Sequence, residues 1–315
     1  MKDPIKNEQC RRMYEALLPN IADYISLYAR QRPRETAIIE HNTGDAVTWK
    51  QLDTSVSAFA AKLLSMGLSK GDIVATSLPL LKEHVYLIYA CYRIGLIVAP
   101  LDLRLKAKEV ITCMEKMKPK AYFFLGKTPV ADFRPLIREV MAACPSIRHW
   151  VQFQKEPDLI MEGAVGVTDF VKDIKKIYVL NLLTRRVKKA NRLVGKRDAC
   201  LIVFTTGSTG SPKPALLCHE NILMQNIALC AAFALAALAS FLDAKKNASA
   251  PLLHRLNAFG ARGALDPYNW LVGFAGLLSR IARKIEDGVS WLYDVGFPSA
   301  AKYAGDSLSR FDNGS

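Results

Sequence analysis

Residues Thr205, Thr206, Gly207, Ser208, Thr209, Gly210, Ser211, Pro212 and Lys213 place hydroxyls, two glycines and a lysine in one short run. The apolar stretch Cys200-Leu201-Ile202-Val203-Phe204 precedes it, so a strand is expected to deliver the run as a loop. Glycines allow a sharp turn that brings backbone N–H groups close to anionic oxygens, and hydroxyls donate further hydrogen bonds. A closing lysine adds a compact positive charge suited to phosphate. The chemistry expected of this run is a grip on a polyphosphate. It is not a Walker A loop, because the G-x-x-x-x-G-K-[ST] spacing is absent. His219, six positions beyond Lys213, has no partnered nucleophile in view, so capping or packing is preferred to a role as base.

Elements able to position such a loop are visible upstream. Val56, Phe59, Ala60, Leu63 and Leu64 recur at three-and-four spacing and predict an amphipathic helix over 53–66. Ile73-Val74-Ala75, Leu96-Ile97-Val98-Ala99 and Ala121-Tyr122-Phe123-Phe124-Leu125 have strand length, and helices are expected over 83–94 and 107–117. Strand alternating with helix implies an α/β fold of parallel βα units with both sheet faces covered. In such sheets ligands bind at the carboxyl ends of the strands, which is where residue 205 begins the loop.

Composition narrows the function classes. The 315 residues suffice for one large or two modest domains. Residues 1–14 are polar and charged, without an apolar leader, and a cytoplasmic location is expected. Seven scattered cysteines without a CxxC pair argue against a disulfide framework or zinc site, and the five histidines lack metal-ligand spacing. The net charge of +14 is uneven: residues 172–197 hold ten Lys and Arg against Asp173 alone. A solvated helix whose long stems cover apolar surface is the preferred reading, with peripheral contact to an anionic membrane left open. Nucleic acid is not an expected partner, since no recognition motif accompanies the charge. Residues 227–242 carry no charge but fall short of a membrane span, so a buried or interfacial helix is expected there.

The run from Thr205 to Lys213 resembles the phosphate loop of the adenylate-forming (AMP-binding) superfamily, written [ST]-[ST]-G-[ST]-[ST]-G-x-P-K-G, with Pro214 in place of the final glycine. Val47-Thr48-Trp49-Lys50-Gln51-Leu52, Gly67 to Val74, Ile94 to Asp102 with Arg104-Leu105, and His219-Glu220-Asn221-Ile222 are similar to other signatures of that family, in the same order. The resemblance implies the N-terminal α/β region of an acyl-CoA synthetase-like enzyme, incomplete, spanning 20–233. An N-terminal extension (1–19) precedes it, and a divergent, mostly helical or irregular tail (234–315) follows. It also implies ATP with Mg2+, activation of a carboxylic acid, such as a fatty acid, to an acyl-adenylate, and coenzyme A as the usual acceptor. Residues 205–213 would hold the β- and γ-phosphates. No match to the family's later magnesium-holding acid, ribose-binding aspartate or C-terminal lysine is found after residue 233. The alternatives of a shortened, inactive relative, a non-catalytic nucleotide-binding protein and a membrane-associated interaction protein therefore stay open.

Overall fold

A computed structural model describes residues 17–41, 43–206 and 212–227, with Glu15 and Leu229. The chain divides into two compact units, 1–227 and 228–315, and the fold described below belongs to the first. It opens with helix α1 (Ile21–Gln31) and an antiparallel pair, β1 (Thr36–Ile39) and β2 (Ala46–Thr48). There follow α2 (Trp49–Ser65), β3 (Ile73–Ser77), α3 (Lys82–Ile94), β4 (Ile97–Pro100), α4 (Ala107–Met117) and β5 (Ala121–Leu125). Next come α5 (Arg134–Ala143), β6 (His149–Phe153), β7 (Val165–Gly166), α6 (Val167–Lys172), α7 (Ile174–Thr184) and α8 (Arg186–Asn191). The unit closes on β8 (Ala199–Thr206), β9 (Pro212–Cys218) and a helix over 219–227.

Helix α2 starts four residues earlier than the periodicity predicts, because a cap decides its beginning. Thr48 Oγ1 accepts from Gln51 N at 3.3 Å while Gln51 Oε1 accepts from Thr48 N at 2.8 Å, a reciprocal capping box. Helix α4 and strand β5 occupy the predicted residues.

Seven strands form one sheet in the order β7-β6-β5-β3-β4-β8-β9, parallel except for β9, which returns antiparallel to β8. Alternating side chains divide the sheet's two faces. Val74, Val98, Ala121, Phe123 and Cys200 pack in one core with α1, α2 and α3. Ala75, Ala99, Tyr122, Phe124 and Ile202 pack in a second with α4 and α5. This two-sided burial explains the continuous apolar runs in β3 to β5. The chain steps from β3 outward to β4 and then crosses back over β3 to β5, so α3 and α4 lie on opposite faces. Such a reversal opens the sheet at its carboxyl edge, and β8 lies against β4 beside it.

One buried cation ties the first core's helices together. Arg93 of α3 is only 4% exposed and donates to Asp53 Oδ1 (2.7 Å) and Ser57 Oγ (2.6 Å) of α2. It also donates to Ser26 Oγ (3.1 Å) and the Ala22 carbonyl (3.3 Å) of α1, and Ser26 Oγ donates to Asp53 Oδ1. Both terminal nitrogens are answered, which is the condition under which a buried ion pair is tolerated. Arg93→Ala is expected to lower stability by about 2 kcal/mol, read from urea unfolding, because it removes the buried donor shared by α1 and α2 and leaves the Ala22 and Asp53 carbonyls without it. A loss below about 1 kcal/mol would show that water replaces the guanidinium at little cost.

Candidate functional site: the β8–β9 hairpin

Strand β8 pairs with β4 at Val98↔Leu201, whereas its ladder with β9 runs from Ala199↔Cys218 to Thr206↔Pro212. The motif therefore caps a hairpin: its first two residues end β8 and its last two begin β9. Gly207, Ser208, Thr209, Gly210 and Ser211 lie outside the described residues. Thr205 and Lys213 are direct cross-strand partners, so their side chains leave the ribbon on the same face. Both are exposed, and Thr205 Oγ1 donates to the Lys213 carbonyl at 3.4 Å. Among the described residues the Lys213 ammonium makes no ion pair. A hydroxyl and a cation thus stand side by side at the mouth of the connection.

Pro214, where the family pattern has glycine, pairs with Phe204. Together with Pro212 it removes two N–H donors from β9. That loss is tolerable because, among the described residues, β9 is the last strand of the sheet and one of its sides has no ladder to supply.

Lys116 of α4 adds a second cation that the sequence did not advertise. Its Nζ donates to the Pro212 carbonyl, across 96 positions of chain, and ties the base of the hairpin to α4. Only the folded register reveals it, because neither residue's local pattern points to the other.

His219 follows β9 directly and lies in the core. It is fully buried, its Nδ1 accepts from Ile21 N at 3.4 Å, and its ring meets Tyr92 edge-to-face at 5.8 Å. The proton accordingly sits on Nε2, which makes no hydrogen bond among the described residues. Burial pulls its pKa down to about 4, against a smaller upward pull from the Asp198 carboxylate. Such a ring packs and orients; it is not placed to take a proton from a ligand.

Among the described residues, hollows open at two places away from the hairpin. At the carboxyl ends of β3 and β5 a crevice of about 10 Å3, lined by Ser77, Asp102, Leu105, Tyr122 and Phe124 among others, holds no more than a water. Asp102 there is paired with Arg104, whose hydrogen bonds hold the carboxyl down to about 2. A second hollow of about 420 Å3 is lined by Pro33, Arg34, Thr48, Lys50, Gln51, Thr54 and Ser55, none of them on the hairpin. Among the described residues, no three His, Cys, Asp or Glu gather to hold a metal ion.

Comparison with known proteins agrees with this architecture. The AMP-binding enzyme family matches residues 26–260, and the chain belongs to that family. The match extends past Phe233, where the sequence changes character. The chain is 26% identical over 217 residues to the medium-chain fatty-acid–CoA ligase of Escherichia coli, covering 67% of this chain and 35% of that protein. It is 24% identical over 216 residues to human long-chain fatty acid transport protein 6, covering 68% of this chain and 32% of that one. Among solved structures, the inhibitor-bound N-terminal domain of FACL13 from Mycobacterium tuberculosis superposes with a TM-score of 0.51 at 22% identity, over 64% of this chain and 45% of that chain. The chain spans about a third of the length of these two curated relatives.

The His219 geometry gives a pH prediction. A histidine whose folded pKa lies below its unfolded value makes the unfolded state the better proton binder, so stability falls as pH drops from about 6.5 towards about 4. Burial lowers His84 and His149 as well, and they act in the same direction. Urea midpoints should decline between pH 7.5 and pH 5, and His219→Gln should flatten part of that decline. An unchanged slope in the variant would contradict the buried, neutral ring.

Proposed function

We propose that the β8–β9 hairpin grips the polyphosphate of ATP, as part of an acyl-CoA ligase-like enzyme that activates a carboxylic acid, such as a fatty acid, to its acyl-adenylate. The observation that carries this reading is the Thr205↔Lys213 pair, which sets a hydroxyl and an uncompensated cation on one face at the mouth of a glycine- and hydroxyl-rich connection. Lys116 at its base adds a second positive charge. The anionic tail of ATP would meet backbone N–H groups, hydroxyls and lysine together, the combination that binds phosphate best.

Displacement at the α-phosphate requires placing the attacking carboxylate and holding the departing pyrophosphate in line with it. Thr205, Thr206, Gly207, Ser208, Thr209, Gly210, Ser211, Pro212 and Lys213 hold the pyrophosphate: they fix the β- and γ-phosphates and stabilise the charge that grows there. Magnesium accompanies the nucleotide in this proposal and coenzyme A is the acceptor thiol. The fatty-acid substrate class rests on the named activities of the relatives above.

A second reading is nucleotide binding without turnover. The sequence after residue 233 favours it, since no match to the family's magnesium-holding acid, ribose-binding aspartate or C-terminal lysine is found there.

ATP binding by isothermal titration, with wild type and Lys213→Ala, tests the site. Loss of one charge-assisted contact is expected to weaken binding by about tenfold or more. Equal affinity in the two proteins would remove the hairpin from the site. ATP–pyrophosphate exchange over a panel of fatty acids then separates the readings: exchange supports the ligase, and binding without exchange supports the second.

A further inference from the structure

We propose that the α7–α8 corner is a docking surface for an anionic lipid membrane. The proposal is independent of the nucleotide site. Beyond Lys175 and Lys176, helix α7 carries apolar residues all round except Asn181, and an apolar stretch of that kind is normally buried all round. Its inner face is: Ile174 and Ile177 pack on the first core and Asn181 is buried. Its outer face is not. Val179 (57% exposed), Leu180 (54%), Leu182 (56%) and Leu183 (78%) fall within five consecutive positions and point away from the fold. Scattered exposed leucines are ordinary, but four large apolar side chains on one helix face form a patch that calls for a partner.

The charges around the patch state the partner's chemistry. Lys172 ends α6, Lys175 and Lys176 lie in the first turn of α7, and Arg185, Arg186, Lys188 and Lys189 lie at its end and on α8; all seven are exposed. Among the described residues none of the seven makes an ion pair. Asp173 is the single acid within 172–197. Long stems shielding the leucines, the reading preferred from the sequence, do not account for side chains that stay more than half exposed with those stems in place.

The corner is also held in shape. Arg185 takes a left-handed conformation (φ 53°) that ends α7, and Asn181 Oδ1 accepts from Val187 N at 2.8 Å to lock the turn into α8. An apolar face flanked by unpaired cations matches a bilayer surface, where leucines enter the acyl boundary and lysines and arginines meet anionic headgroups. Nucleic acid would use the cations and leave the leucines without a role.

Co-sedimentation of the full chain with vesicles tests this. Phosphatidylcholine vesicles containing phosphatidylglycerol are expected to pellet the protein, and phosphatidylcholine alone to pellet much less. Lys188→Gln/Lys189→Gln should weaken binding by about thirtyfold, from about fivefold per charge. Leu182→Ser/Leu183→Ser should abolish the fraction that survives high salt, which screens the charges but leaves apolar insertion intact. Both sites are exposed, and unchanged circular dichroism is the control for folding. Failure to pellet with anionic vesicles would overturn the proposal, as would both variants binding like wild type, which locates the contact elsewhere in the chain. Self-association abolished by Leu182→Ser/Leu183→Ser, with no lipid binding, would overturn it in favour of a second copy as the occupant.

Discussion

The ladder between β8 and β9 is the constraint on which the candidate site depends. A parallel strand that simply ended at Phe204 would release the following hydroxyls and glycines into a free connection. The antiparallel return of β9 instead fixes both ends of the connection against each other, at Thr206↔Pro212, and sets Lys213 beside Thr205. Ordering a loop costs conformational entropy, and a hairpin base settles much of that cost during folding rather than during ligand binding. Lys116 extends the same anchoring to α4, so the cationic mouth is held by the sheet and by a helix packed on it.

Behind the hairpin, strand alternation divides the labour between two cores. One holds α1, α2 and α3 through the Arg93 network; the other holds α4 and α5 on the opposite face. His219 connects the hairpin to the first of them, because β9 runs straight into a helix whose first side chain is buried against Tyr92 and accepts from α1. The exit of the hairpin is therefore anchored in the core, while its mouth stays exposed. The basic corner of α7 and α8 is a separate feature, built on the outer side of the helical layer.

Much of this was legible from residue order. The bounds of α4 and β5 followed from periodicity and from a short apolar run bounded by turns, and the parallel α/β class followed from their alternation. The motif stood out in the sequence as hydroxyls, glycines and a lysine at a spacing suited to phosphate, the role proposed for it here. Other parts were hidden for identifiable reasons. The start of α2 was set by the Thr48–Gln51 box rather than by its apolar stripe. The strand β9 was masked by Pro212 and Pro214, residues that argue against a strand unless it lies at an edge. Contacts such as Lys116 to Pro212 and Asn20 Nδ2 to the Tyr92 carbonyl join distant positions and leave no local trace.

Hydrogen–deuterium exchange on peptides covering residues 204–218, with and without ATP, addresses the central claim most directly. A polyphosphate held by the hairpin's backbone should slow exchange in that peptide while the β3, β4 and β5 peptides stay as they were. Exchange unaltered there at saturating ATP, or protection appearing only in other segments, would contradict the assignment.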